Sequence, residues 1–413
     1  MAAAGSGFYG WRVVGAAFVL ATFGWGIGFY GPPIYLHAVQ EARPWPLWLV
    51  SAAATLHFLS GALAVANLPR LYRRFGVPAV TRAGAVLLAV GVLGWAVAAE
   101  PWQLMLATLA SGVGWVAMGA AAINAILQPW FVRRRPAALA MAYNGASVGG
   151  ILFQPLWVAA IAAFGFAQAA TLVGLAMILA VWVMAGSVLA RTPRDLGQVA
   201  DGGGDPAPPV PPAPAGWRPW GDRRFRTLAS AMALGLFAQI GLLAHLFSLL
   251  VPAIGAAAAG IAMAAATAAA IAGRTLVGWL MPPGADRRRV AAASYAVQML
   301  GGVLLLLADG TATSLLVPGV LLVGAGIGNA TSLPPLIAQA EFPPEQVGRV
   351  VALIVALAQA AYAFAPAAFG LLREPGAAAA PLLFAAAVAV QALAIAALLA
   401  GGRRQDRGQS ASR

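Results

Sequence analysis

DGGGDPAPPVPPAPAG, residues 201–216, is the middle of the one long polar stretch in the chain, 191–226. A run this rich in glycine and proline cannot bury a core, so it reads as a flexible linker. Outward from it the sequence turns apolar in both directions. A transmembrane helix needs roughly 20 apolar residues to cross a hydrocarbon core of about 30 Å. Such runs fall at 11–36, 48–68, 79–99, 103–128, 137–162 and 167–190 before the linker, and at 228–250, 255–281, 290–308, 314–338, 348–371 and 378–400 after it. The pattern predicts an all-α membrane protein of twelve transmembrane helices in two six-helix bundles. The expected boundaries are 1–190 for the first bundle, 191–226 for the linker, 227–402 for the second bundle and 403–413 for a basic tail.

Composition agrees. Of 413 residues 61% are hydrophobic and 9% charged, with a mean hydropathy of +0.83, whereas a soluble domain carries about 25% charged residues. The net charge of +13 rests entirely on arginine. Those arginines sit in short blocks between apolar runs, which is a topology signal rather than a nucleic-acid surface. Connections after spans 1, 3, 5, 7, 9 and 11 carry Arg43 and Arg373. The other side carries Arg70, Arg73 and Arg74, Arg133 to Arg135, the linker arginines, Arg287 to Arg289, Arg349 and the tail. This asymmetry predicts both termini in the cytoplasm of a bacterial inner membrane, and the first run reads as an uncleaved span.

The halves repeat. Gly112-x-Gly114 in span 4 is followed by Gln128-x-x-Phe131, and Gly324-x-Gly326 in span 10 by Gln339-x-x-Phe342. Parallel six-span repeats are a transporter architecture. No Walker motif, paired carboxylates, H-E-x-x-H or Ser/His/Asp set is present, and the chain has no cysteine. Neither an enzyme nor an ATP-driven pump is expected, nor any cofactor or bound metal.

On these residues the chain resembles the major facilitator superfamily. The family's loop between spans 2 and 3 usually reads G-x-L-x-D-R-x-G-R; here Pro69-Arg70-Leu71-Tyr72-Arg73-Arg74-Phe75-Gly76 occupies it, with Arg73 in place of the acid. After span 8 the match is Gly278-Trp279-Leu280, then Asp286-Arg287-Arg288-Arg289. The resemblance implies that Arg70, Arg73, Arg74, Gly76, Asp286, Arg287 and Arg288 belong to gating loops. Tyr9-Gly10-Trp11-Arg12, Trp130-Phe131-x-Arg133-Arg134-Arg135, Gly145 to Gly150 and Gly273-Arg274-x-x-x-Gly278 are similar to the monocarboxylate and oxalate/formate porter branch. That likeness implies a span-8 arginine as the substrate-anion site.

The spans hold no mid-membrane carboxylate. Arg274 in span 8 is read as the one charge inside a span, either snorkelling or bridged to Glu341, or else a fixed cation for a carboxylate. A single uncompensated charge favours a monocarboxylate. Tyr143 and Asn144 in span 5 fall level with it, and Tyr30, Asn329, Gln359 and Tyr362 are further cavity residues. His57 and His245 are the groups within spans that titrate near neutrality, hence candidates for proton coupling, with packing as the alternative. The expected function is secondary transport of a small organic monoanion by a monomer in the lipid bilayer. The alternative is efflux of neutral or hydrophobic molecules.

Overall fold

A computed structural model describes residues 8–200, 218–282, 284–374 and 379–401. The low-complexity middle of the expected linker and the basic tail lie outside the described residues. The amino half comprises α1 (Gly10–Gly28), α2 (Pro32–Ala42), α3 (Leu47–Val65), α4 (Leu68–Val97), α5 (Pro101–Val116), α6 (Ala120–Leu127), α7 (Arg135–Phe164) and α8 (Phe166–Ser187). The carboxyl half comprises α9 (Arg223–Leu280), α10 (Arg287–Leu307), α11 (Thr313–Glu341), α12 (Pro344–Ala363), α13 (Ala365–Gly370) and α14 (Pro381–Gly401). Spans 1, 4 and 11 of the sequence are thus broken helices: α1 with α2, α5 with α6, and α12 with α13.

Eleven of the described helical segments are long and apolar enough to cross a membrane. One of them, α9, has 58 residues. At 1.5 Å per residue it would extend ~87 Å, nearly three times the hydrocarbon thickness. It is two crossings, parted at Gly255, where φ is 76° and ψ 160°. The count is therefore twelve. Large apolar side chains such as Leu175, Leu179 and Trp279 stand exposed around the outside, as lipid-facing residues do.

The same backbone conformation recurs at Gly76 within α4 and at Gly165 between α7 and α8, with φ of 77° at each. This region of φ and ψ is essentially closed to residues with a Cβ, at about 1–3 kcal/mol. Nothing lies within 4 Å of a Cβ built on Gly255, so a substitution there reports backbone strain alone. Gly255→Ala is expected to lower the thermal midpoint in detergent by the equivalent of about 1–3 kcal/mol. Gly278→Ala, on an equally open site inside the helix, should leave it unchanged or raise it slightly. Equal midpoints for the two variants would refute the assignment of Gly255 as the turn.

The repeat seen in the sequence has a packing counterpart. A Cβ on Gly112 would strike the His57 carbonyl of α3, and one on Gly324 would strike the Ala266 carbonyl of α9. Two residues on, Gly114 faces Leu88 and Gly84 of α4, while Gly326 faces Ser294 and Gln298 of α10. Equivalent glycines let span 4 touch spans 2 and 3, and span 10 touch spans 8 and 9, at backbone distance.

Candidate central site

Between the halves lies a cavity with about 700 Å³ of space not filled by atoms, counting the part open to solvent. Tyr30, Phe29, Phe58 and Gln154 line it from the amino half, and Gln239, Met263, Thr267 and Ala270 from the carboxyl half. Tyr30 reaches it because span 1 is interrupted: α1 stops at Gly28 and α2 restarts at Pro32. A helix end leaves carbonyls without partners, and in a membrane these must be answered from elsewhere. The Gly28 carbonyl accepts from His57 Nε2 at 2.8 Å, and the Ile27 carbonyl from the Tyr35 hydroxyl at 3.0 Å.

His57 thereby has a structural task. Its other ring nitrogen meets Ser111 Oγ at 2.8 Å, and its ring stacks on Trp115. Because a carbonyl can only accept, Nε2 carries the hydrogen and Nδ1 receives that of Ser111 in the neutral ring. His245 of α9 makes a related bond, Nε2 to the Pro366 carbonyl of α13 at 2.9 Å, close to the break in span 11. Its Nδ1 is buried without a partner among the described residues.

Thr267, Ala270 and Arg274 follow one another at intervals of three and four on α9, so they share a face. Arg274 is half-buried and lies one turn beyond Ala270 toward the arginine-rich end. Its Cα–Cβ bond tilts back along the helix toward the cavity, and its charge acts on Tyr30. Gly328 of α11 backs it closely: a Cβ there would stand 3.1 Å from that of Arg274. No ion pair involves Arg274 among the described residues.

The suggested bridge to Glu341 is not made. Glu341 is held by Arg288, at 2.6 Å to Nε and 2.9 Å to Nη2. The reason is depth. Glu341 ends α11 and Arg288 begins α10, both at the arginine-rich surface, whereas Arg274 lies about 9 Å further in than the end of α9. Arg288 also donates to Thr227 Oγ1 and to the Leu398 and Arg224 carbonyls, satisfying all five guanidinium hydrogens while 1% exposed. Asp286 caps α10 through the Arg288 amide at 3.0 Å, and Arg287 donates to the Leu336 carbonyl. In the amino half Arg70, Arg73 and Arg74 are exposed, Arg74 over the Phe75 ring, and no ion pair holds them among the described residues. Arg73 stands where the resemblance expects an acid, and no carboxylate replaces it there.

The remaining sequence candidates separate. Tyr30 lies against Thr267 in the cavity. Tyr362 meets Phe58 across the halves at 6.0 Å between ring centres, with Gln359 beside its hydroxyl. Tyr143 turns to the amino-half wall, where its hydroxyl bonds the Ala120 carbonyl at 3.1 Å and the Asn124 amide. Asn144 is exposed. Asn329, 3% exposed, lines a separate small cavity with Tyr295 and Pro334 inside the carboxyl half.

Two glutamines are absent from the sequence reading. Gln154 of α7 donates across the halves to Thr267 Oγ1 at 3.0 Å, with the Met263 carbonyl at 3.2 Å. Gln239 of α9 is 4% exposed, and its Oε1 has no partner among the described residues. The signal was there: an amide inside an apolar span is rare and marks a pathway or a helix contact. Arg274 is not the one arginine within an apolar run: Arg82 also lies just inside the third.

Joins between the halves gather on the side away from the arginine-rich end. The Ala367 amide donates to Thr55 Oγ1 at 3.0 Å, His37 meets the Phe247 ring, and Gly260 of α9 abuts Pro155 and Val158 of α7. These contacts hold the two halves together on that side of the cavity.

Comparison with known proteins places this architecture. The family model of the Major Facilitator Superfamily matches residues 13–366. "MFS transporter asaE" of Aspergillus flavus is 25% identical over 202 residues, 48% of this chain and 45% of that one. "Monocarboxylate transporter 11" of Homo sapiens is 28% identical over 173 residues, 41% of this chain and 36% of that one. The matched segments thus span less than half the length of these curated relatives. Among solved structures, a bacterial homologue of the human lysosomal transporter Spinster, inward-facing and occupied, superposes with a TM-score of 0.70 at 15% identity over 96% of this chain and 97% of that one. The nucleoside transporter NupG gives 0.72 at 13% identity over 95% and 98%. Likeness at such identity concerns the fold.

Proposed function

The chain belongs to the major facilitator superfamily, and from that premise we propose that it carries a small organic monoanion, a monocarboxylate, with Arg274 as the charge that receives it. It is a transporter rather than an enzyme, and its halves alternate access to the cavity between them. The observation that carries the finer reading is the arginine itself: intramembrane, one helical turn beyond the cavity-lining Ala270, and without an ion pair among the described residues. The partial likeness to a monocarboxylate transporter agrees with it.

The physics of coupling follows from burial. Closing the arginine-rich side around an empty site would strip water from an unpaired guanidinium, at a cost of several kcal/mol. A bound carboxylate supplies the counter-charge in the two-pronged geometry a guanidinium prefers, so the loaded site closes more readily than the empty one. The apolar wall formed by Phe29, Phe58 and Met263 takes the organic body, and Tyr30 with Thr267 offers hydroxyls beside it. Reopening on the far side requires the Thr55–Ala367 and Gln154–Thr267 bonds to part. His57 and His245 remain candidates for a proton step in this scheme, subject to their bonds at the helix breaks. We assign the arginine-rich side to the cytoplasm by the positive-inside rule.

The test is uptake into proteoliposomes of a radiolabelled panel: short and branched monocarboxylates, dicarboxylates, a neutral sugar and a neutral lipophile. Saturable uptake of one or more monocarboxylates, competed by other monocarboxylates and not by the neutral solutes, is expected. Saturable uptake confined to the neutral compounds would replace this reading with that of a neutral-solute carrier.

A further inference from the structure

Away from the cavity, on the lipid-facing side of the amino half, a trough runs along α4. One part lies between α4 and α8, an open depression lined by Ala79, Arg82, Ala83, Leu87 and Trp182. The other continues toward α3 and α5 past Leu71, Phe75 and Val113. Ala79, Ala83 and Leu87 border both, so the two parts are continuous. Apart from Arg82 its lining is apolar or aromatic.

Arg82 sits about 9 Å into span 3, counted from the turn at Gly76. Its guanidinium lies 5.0 Å over the Trp182 ring, and Nη2 donates to the Trp182 carbonyl at 3.4 Å. That is the one hydrogen bond it makes among the described residues, out of five N–H donors, and Nε is buried without an acceptor. No ion pair involves Arg82 among the described residues. An arginine at this depth costs at least ~2.5–3.5 kcal/mol unless it meets an anion or water. The arginine-rich end of the amino half adds to the demand. Arg12, Arg70, Arg73, Arg74 and Arg191 have no carboxylate partner among the described residues, and Asp195 is taken up by Thr192 through its amide and hydroxyl.

We infer that this trough is a binding site for a net-anionic phospholipid, whose phosphodiester pairs with Arg82 over the Trp182 ring while an acyl chain lies along Ala79, Ala83 and Leu87. The phosphate accepts from the free guanidinium edge as a carboxylate would. The small side chains make room for the tail, and the arginine-rich rim selects a headgroup with net negative charge over a zwitterionic one. The site is independent of what the central cavity carries.

Native mass spectrometry of the full chain, equilibrated with equal amounts of phosphatidylglycerol and phosphatidylcholine of matched acyl chains, tests this. The wild type is expected to retain phosphatidylglycerol at least fivefold over phosphatidylcholine. Arg82→Gln should bring the ratio close to one, and Arg82→Lys should keep most of it. Ala83→Trp fills the trough while leaving every arginine in place and should release the bound lipid too, so the inference remains open to refutation even if Arg82→Gln folds poorly. No preference in the wild type, or a preference that survives either Arg82→Gln or Ala83→Trp, overturns it.

Discussion

Arg274→Ala is expected to abolish saturable uptake of monocarboxylates in proteoliposomes. A bidentate carboxylate–guanidinium contact comprises two charge-assisted hydrogen bonds, each about 1.5–3 kcal/mol. Losing ~3 kcal/mol corresponds to roughly a hundredfold in affinity. Arg274→Lys, which keeps the charge and loses the planar fork, should fall between the two. Because Arg274 has no protein ion pair among the described residues, the alanine variant is expected to fold with an unchanged thermal midpoint, which separates this loss from misfolding. Uptake that persists at wild-type affinity in Arg274→Ala would remove the anion site from the scheme.

Glu341→Ala should be the most destabilising single change in the carboxyl half. It leaves Arg288, 1% exposed, as an uncompensated buried cation, a defect of about 3–5 kcal/mol. Scanning fluorimetry in detergent should show a large drop in midpoint. The double variant Arg288→Met with Glu341→Leu should recover much of it, since replacing both partners removes the stranded charge. A midpoint for Glu341→Ala equal to that of the wild type would mean that the ion pair does not hold spans 7, 9, 10 and 12 together. Transport measured in the double variant then tells whether the pair has any part in gating beyond this tie.

The span count could be read from the chain because membrane crossing imposes a length on every apolar run. The Gly112/Gly114 and Gly324/Gly326 correspondence was legible for a related reason, since close helix contacts admit few residues besides glycine. Arg274 stood out as a charge within an apolar run, but its partner did not follow. Arg274 and Arg288 are both near the arginine-rich end in sequence, and only the depth of α9 decides that Glu341 goes to Arg288. The histidines were harder still. His57 answers the Gly28 carbonyl because α1 breaks there, and nothing in a pattern of apolar residues announces where a helix gives up its own hydrogen bonds. Gln154 and Gln239 could have been found by asking of every intramembrane amide what it bonds to.

Gly255 joins the two crossings of α9 through one residue in a conformation that other side chains resist. Gln239 and Arg274 stand on opposite arms of that hairpin, at heights that differ by about 5 Å when counted from the turn. A connection so short leaves the arms little freedom to slide along each other. The amide and the guanidinium therefore keep their spacing as the carboxyl half tilts, like two fingers of one hand. On the proposed reading of the site, cargo of any length meets the same fixed spacing on that wall.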